Sequence, residues 1–360
     1  MAHGSHPAPR GPRPRELGIV IGEREPGATD TIADVGGVGV GHVTVWRDEP
    51  PPPAGRGVAR TGVTAIRPGP PATLRARPLA AGAAVLNGAG EMTGFLQVSE
   101  WGALQTPVYL TSTMAVGRIY DGAVAAAVAA DPGVGVDDVI IPVVAECDDS
   151  WLNDPRVVQV EAADAGGALA AADGDIAEGA VGAGTGMVCF GWKGGIGTAS
   201  RLVPELGAVL GALVLANFGD ARELRVDGVP VGRLLGDRAS GDGRRPAGSC
   251  IVVLATDAPL AAAQLRRVAM RAGLGLARTG SVAHHGSGEI FLALATQGPP
   301  AVPDDALDPL FAASVDAVEE SVLNALWAAG DVAGRDGRRF AGLPHDDVLE
   351  LLAAHGRSGR

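Results

Sequence analysis

Residues 236–255 read GDRASGDGRRPAGSCIVVLA, and their character changes abruptly between Gly248 and Ser249. Residues 236–248 are polar and rich in Gly and Arg, as a surface loop is, whereas 249–255 form a short apolar run of β-type residues. This places a hydroxyl on the first residue of a buried strand, directly behind a glycine. Cutting the peptide bond before Ser249 would leave its hydroxyl and a new α-amine on one residue, a nucleophile with a base attached. Taken alone, Gly-Ser reads more readily as the end of a loop, and it is the rest of the chain that reverses that reading.

The 360 residues, 46% of them apolar, are enough for one large domain or two ordinary ones. A net charge of -12, with acidic residues interspersed throughout, argues against a nucleic-acid partner. Lys193 is the lone lysine. The three cysteines, Cys147, Cys189 and Cys250, lie in or beside apolar runs and read as reduced thiols in a cytoplasmic protein. No uncharged run reaches the roughly 18 residues of a membrane helix. Residues 1–17 lack the apolar core of a secretion signal, and 1–27 are expected to form a disordered tail before a single domain over 28–360.

Along that domain, residues 31–47 read as a strand, a glycine turn and a second strand, with the proline-rich stretch 48–56 as a surface loop. Strands are expected at 83–87, 108–111 and 207–217, and helices at 92–100, 122–130, 309–329 and 346–355. Residues 139–145 (VIIPVVA) read as a buried strand ending in the polar loop 146–154, ECDDSWLND. The glycine-dense stretch 179–201 suggests two strands meeting closely. After the strand at 249, Asp257 is expected to cap, and Pro259 to open, a helix running to about 277. Strands in the middle and helices at the end predict a layered α/β sandwich with its sheets buried between helices.

Phosphate and metal chemistry find little support. The nearest approach to a P-loop, 186–193, puts Trp192 before the lysine and no hydroxyl after it, and Gly182, Gly184 and Gly186 lack dinucleotide spacing. His284 and His285 would face opposite ways on a strand, His42 and His345 stand alone, and no HExxH or CxxC occurs. Hydroxyl chemistry fares better. Ser287 and Glu289, two residues apart, project to one face of an extended segment and could relay a proton, although Ser-Gly-Glu is also an ordinary turn. Asn217 ends an apolar strand, where its amide could donate to an oxyanion or simply cap the turn that follows.

Five blocks, VLNGAGEMTGF (85–95), GAGTGMVCFGWKGGIGTASR (182–201), LVLANFGD (213–220), GSCIVVLATDAPL (248–260) and LARTGSVAHHGSGEIFLA (276–293), resemble in order the signature blocks of the DmpA-like family, the L-aminopeptidase/D-esterases and β-peptidyl aminopeptidases. The resemblance implies an αββα sandwich similar to that of N-terminal nucleophile hydrolases but differently connected. It implies a precursor that cuts itself between Gly248 and Ser249 into an α chain, 1–248, and a β chain, 249–360, which stay together.

On the same resemblance Ser249 is the nucleophile, Ser287 and Glu289 the hydroxyl-carboxylate pair, and Asn217 the oxyanion donor. Glu146 would hold the substrate's free ammonium group, and Asp148 falls where some members carry Tyr. The implied activity is that of a serine aminopeptidase, amidase or esterase acting through an acyl-enzyme, without metal or organic cofactor, on small peptides, amides or esters. The implied assembly is a homo-oligomer, a tetramer of αβ units, with no nucleic-acid or membrane partner. The alternatives are an unprocessed binding or scaffold protein, and an acyltransferase resembling the ornithine acetyltransferases, whose threonine at the cleavage point speaks against them here.

Overall fold

The protein is described by a computed structural model at residues 11–236, 248–298 and 300–357. Strands β1 (Gly39–Arg47) and β2 (Ala59–Arg67) pair around the proline-rich loop. The turn α1 (Pro71–Leu74) leads to β3 (Leu79–Gly88), α2 (Phe95–Trp101), β4 (Ala103–Leu104), β5 (Val108–Ser112), α3 (Val116–Ala130), β6 (Val143–Cys147) and α4 (Ala163–Ala170). Two-residue strands β7 (Val188–Cys189) and β8 (Trp192–Lys193) precede β9 (Gly195–Val203), β10 (Ala208–Asn217) and α5 (Val231–Leu235). Then come β11 (Ser249–Thr256), α6 (Ala262–Arg278), β12 (Gly288–Ala295), α7 (Asp308–Ala328), the small pair β13 (Val332–Ala333) and β14 (Arg339–Phe340), and α8 (His345–Ala354).

One sheet has the order β1-β2-β5-β6, the other β4-β3-β12-β11-β10-β9. Ile251, Val253, Ile290 and Leu292 of the larger sheet pack against Val108, Leu110, Val143 and Ala145 of the smaller. The opposite face of the larger sheet, with Cys250, Val252, Leu254 and Phe291, packs on α6 and α7, while α3 and α4 cover the outside of the smaller. The result is the expected αββα sandwich. Because both its faces are covered, β11 is a continuous apolar run rather than an alternating one.

Helix α6 buries Leu265, Val268, Ala269, Ala272 and Leu276, a stripe at helical spacing. Helix α7 is enclosed along most of its length and lies so close to β9 that a Cβ on Gly197 would stand 1.8 Å from the Ser321 carbonyl oxygen. Its buried Glu320 therefore needs partners, which Arg15 (2.8 Å) and the fully enclosed Arg201 supply.

Several expectations are corrected. Residues 14–17 form a 3-10 turn, Ile19 and Ile21 are buried, and Arg13 pairs with Glu178 at 2.8 Å, so the described part of 1–27 is an ordered strap; residues 1–10 lie outside the described part. Residues 31–47 hold one strand, not two: Thr31 caps a 3-10 turn over Ile32–Asp34 and Gly37, at φ 88°, makes the bend before β1. Val139 and Ile141 are exposed and β6 begins only at Val143, because Pro142 has no N–H to contribute to a ladder. Asp257 does not cap α6; its carboxylate accepts from the Val209 N–H, and the helix starts five residues later. Within 179–201 a 3-10 turn and the β7-β8 pair precede β9. Most of the loop that precedes Gly248, residues 237–247, also lies outside the described part.

Candidate active site

The site forms where the ends of three neighbouring inner strands of the larger sheet come together. Ser249, the first residue of β11, stands opposite Asn217 on antiparallel β10 and beside Gly288 on parallel β12, which in turn pairs with Gly88 of β3. Its hydroxyl donates to the Gly248 carbonyl at 2.7 Å. Cys250 projects to the other face and is fully buried, with its thiol pushed well up by burial.

Ser287 and Glu289 come together as expected, the buried Ser287 hydroxyl donating to Glu289 Oε1. Burial pushes the Glu289 carboxyl up, and the Ser287 hydroxyl pulls it partly back. A Cβ built on Gly248 would lie 3.3 Å from Ser287 Oγ, so the pair sits against the residue before the nucleophile. Asn87 braces it from β3, donating to the carbonyls of His284 (2.8 Å) and Ser287 (2.6 Å).

The orientation of the Asn217 amide is set by its neighbours. Val188 N–H, which can only donate, meets Asn217 Oδ1 at 2.8 Å, so Nδ2 must be the other atom. One hydrogen of Nδ2 goes to the Asp148 carbonyl at 2.9 Å, and the second has no partner among the described residues. Asp148 thus contributes its backbone, while its carboxylate accepts from Ser150 N–H at 2.8 Å.

Glu146 lies inside β6 rather than opening a loop, at 2% exposure. Glu91 N–H donates to one of its oxygens at 2.9 Å and the Thr113 hydroxyl to the other. Burial pushes its pKa up, partly offset by these two bonds. A cleft of about 420 Å3 opens beside it, lined by Gly88, Gly90, Met92, Phe95, Ile141 and Ile290, and a Cβ on Gly90 would stand 3.1 Å from Glu146 Oε1. The site therefore offers a hydroxyl on a strand end, an oriented amide donor, a hydroxyl-carboxylate pair and a buried carboxyl group beside an apolar cleft.

Sequence reasoning did not find Val188, Asn87, Thr113 or the Glu91 amide, whose parts depend on folded contacts. It also missed Asp149, buried between Ser112 Oγ (2.8 Å) and Asn153 Nδ2 (3.0 Å), with a carboxyl that burial pushes up to about 7. Among the described residues no cluster of three His, Cys, Asp or Glu is arranged to hold a metal ion, and no helix is long and apolar enough to cross a membrane.

The profile of peptidase family S58 matches residues 30–340. A beta-peptidyl aminopeptidase, BapA, of Sphingosinicella microcystinivorans is 39% identical over 96% of this chain and 93% of its own. Among solved structures, a beta-aminopeptidase of Burkholderia sp. superposes with a TM-score of 0.86 at 42% identity, over 96% of this chain and 99% of that one. The L-aminopeptidase D-Ala-esterase/amidase of Ochrobactrum anthropi, described as a prototype for the serine aminopeptidases and a variant of the Ntn hydrolase fold, superposes at 0.87 with 38% identity, over 97% of this chain and all of that one.

Proposed function

The chain belongs to peptidase family S58, the DmpA-like family, and is a serine-type aminopeptidase; from that premise we propose that it matures by cutting itself between Gly248 and Ser249 and then acts through an acyl-enzyme on Ser249. The observation that carries this reading is the meeting of Ser249, Asn217 and the Ser287-Glu289 pair at the adjoining ends of three inner strands.

In maturation the Ser249 Oγ–H adds to the Gly248 carbonyl carbon. The C–N bond breaks, the hydroxyl proton ends on the departing Ser249 nitrogen, and water hydrolyses the ester to a Gly248 carboxylate and a free Ser249 α-amine. In turnover Oγ attacks the carbonyl of the substrate's N-terminal residue. Its proton passes to a base and on to the leaving amine or alcohol, and water then frees the acyl group.

A Cβ on Gly248 would stand 3.3 Å from Ser287 Oγ, so the pair lies beside the residue whose bond to Ser249 is cut, which supports the α-amine as the base with Ser287 and Glu289 orienting it. An α-amine, with a reference pKa of about 7.7 to 8.0, suits that role near neutral pH. The second Nδ2 hydrogen of Asn217 would take the oxyanion, a contribution of about 3 to 4 kcal/mol. Glu146 would hold the substrate ammonium, restricting cleavage to N-terminal residues, with the side chain in the adjacent cleft.

The reading extends to assembly and place. Val85, Leu96 and Ile141 are exposed around the cleft, which supports association of αβ units into a homo-oligomer, four units by family resemblance. The three buried free cysteines support a cytoplasmic protein acting on small peptides, amides or esters.

A denaturing gel tests the whole scheme. The expected result is two bands, the smaller beginning Ser-Cys-Ile-Val-Val and spanning 249–360, and a single inactive band for Ser249→Ala. A wild-type chain that stays whole yet hydrolyses aminoacyl amides would refute the α-amine mechanism.

A further inference from the structure

The lone lysine of the chain, Lys193, is fully buried, and its ammonium has no ion-pair partner among the described residues. Instead Nζ donates to three backbone carbonyls, Gly184 (3.0 Å), Met187 (2.6 Å) and Gly194 (2.6 Å). The Met187 carbonyl belongs to the same peptide group as the Val188 N–H, and that N–H holds Asn217 Oδ1 at 2.8 Å. A continuous line of donors and acceptors thus runs from the ammonium, through the 187–188 peptide and the Asn217 amide, to Nδ2 of a residue that stands opposite Ser249 in the sheet.

We propose that Lys193 is a positioning residue for the oxyanion donor: its charge locks the 187–188 peptide in register with Asn217 and polarises both amides, so that Nδ2 becomes a stronger donor to negative charge developing at the substrate carbonyl. The proposal rests on the assignment of Asn217 as that donor. Two physical arguments carry it. Hydrogen bonds in a chain strengthen one another, and a cation drawing on a carbonyl makes the N–H of the same peptide a better donor. A buried, unpaired ammonium is also costly to retain unless its carbonyl cage compensates, and this cage is the turn that presents Val188. The titratable groups facing Lys193 are Cys189 and Asp149, and burial pushes the Lys193 pKa down.

A double-mutant cycle provides the test, using the mature enzyme and an L-aminoacyl p-nitroanilide. Lys193→Gln keeps a donor in the cage and removes the charge. It is expected to lower kcat about 10- to 100-fold, less than the loss from deleting a donor outright, with KM within about twofold. In the Asn217→Ala background the same substitution is expected to change kcat by less than about twofold, because its route to the substrate is gone. An equal loss in both backgrounds, or no loss in a folded Lys193→Gln enzyme, would overturn the proposal. An Asn217→Ala enzyme of unchanged kcat would instead sink the oxyanion assignment.

Should Lys193→Gln fail to fold, the lone lysine allows a gentler change: expression in a lysine-requiring host with thialysine, which alters position 193 alone. Its thioether lowers the basicity of the amine, so the alkaline limb of kcat is expected to move to lower pH at constant KM. An unmoved limb would refute the link.

Discussion

Glu146→Gln tests whether the buried carboxylate binds the substrate's ammonium. The substitution is nearly isosteric, and a glutamine oxygen can still accept from the Glu91 N–H that now lies 2.9 Å away. The Thr113 hydroxyl, which donates to the other oxygen, can rotate to accept from the new NH2, so the local fold should survive. What disappears is the negative charge. A hydrogen bond to a charged group contributes about 1.5 to 3 kcal/mol against about 1 for a neutral one. At 2% exposure there is little solvent to screen the change, so the whole charged contribution of about 1.5 to 3 kcal/mol is at stake. The expected loss in kcat/KM for aminoacyl p-nitroanilides is about 10- to 150-fold, carried mainly by KM, with scission before Ser249 unaffected.

The pH dependence follows from the sign of the shift. Burial raises the Glu146 pKa, so the carboxylate is neutralised at a pH above that of an ordinary glutamate. KM is therefore expected to rise as pH falls through that elevated value, and the Gln variant should lose this limb. Steady-state kinetics across pH, with N-acetylated substrates as controls, makes the comparison. Equal turnover of free and acetylated substrates by the unmodified enzyme would refute the reasoning.

Cys250→Ala should cost about 1 to 2 kcal/mol in denaturant unfolding, from the small void left in a fully buried position, and leave kcat/KM unchanged. Rapid inactivation by a small thiol reagent that this variant prevents would instead make Cys250 the nucleophile. Gly90→Ala puts a methyl 3.1 Å from Glu146 Oε1 and 3.6 Å from Gly288 Cα, narrowing the space beside the carboxylate. KM should rise while both fragments still form, and an unchanged KM would place the ammonium elsewhere. The Asp149 carboxyl, raised to about 7, stays protonated in the fold at pH values where the unfolded chain has lost the proton, so it makes stability fall as pH rises from about 4 to about 7, by up to about 1.4 kcal/mol per unit. Asp149→Asn should flatten that slope in urea titrations across the window, and an unchanged slope would contradict the assignment.

The break at Gly248-Ser249 was legible because loop and strand differ so sharply in composition, and the strand proved apolar on both faces because the sheet is covered on both sides. Ser287 and Glu289 were legible because a spacing of two is a local property of extended chain. The apolar letters 139–141 misled: Val139 and Ile141 are exposed, since the proline at 142 delays pairing until Val143. Asp257 had the chemistry of a helix cap, but a strand neighbour 48 residues away, Val209, claimed its carboxylate first. Lys193 stood out only by its rarity. Its meaning lies in three carbonyls that converge after the turn at Phe190-Gly191, where φ is 49° and 74°, and no residue-by-residue pattern encodes that convergence.

The enclosure of Lys193 also shapes how the molecule would meet amine-reactive reagents. With Lys193 sealed from solvent, residues 1–360 of an uncut chain offer acylating probes no exposed lysine amine. Scission before Ser249 would add one more primary amine, at the start of β11 beside Gly288. Stoichiometric labelling would then count cuts directly: each cut adds one label, carried on the fragment that begins at Ser249 and silencing the enzyme as it attaches.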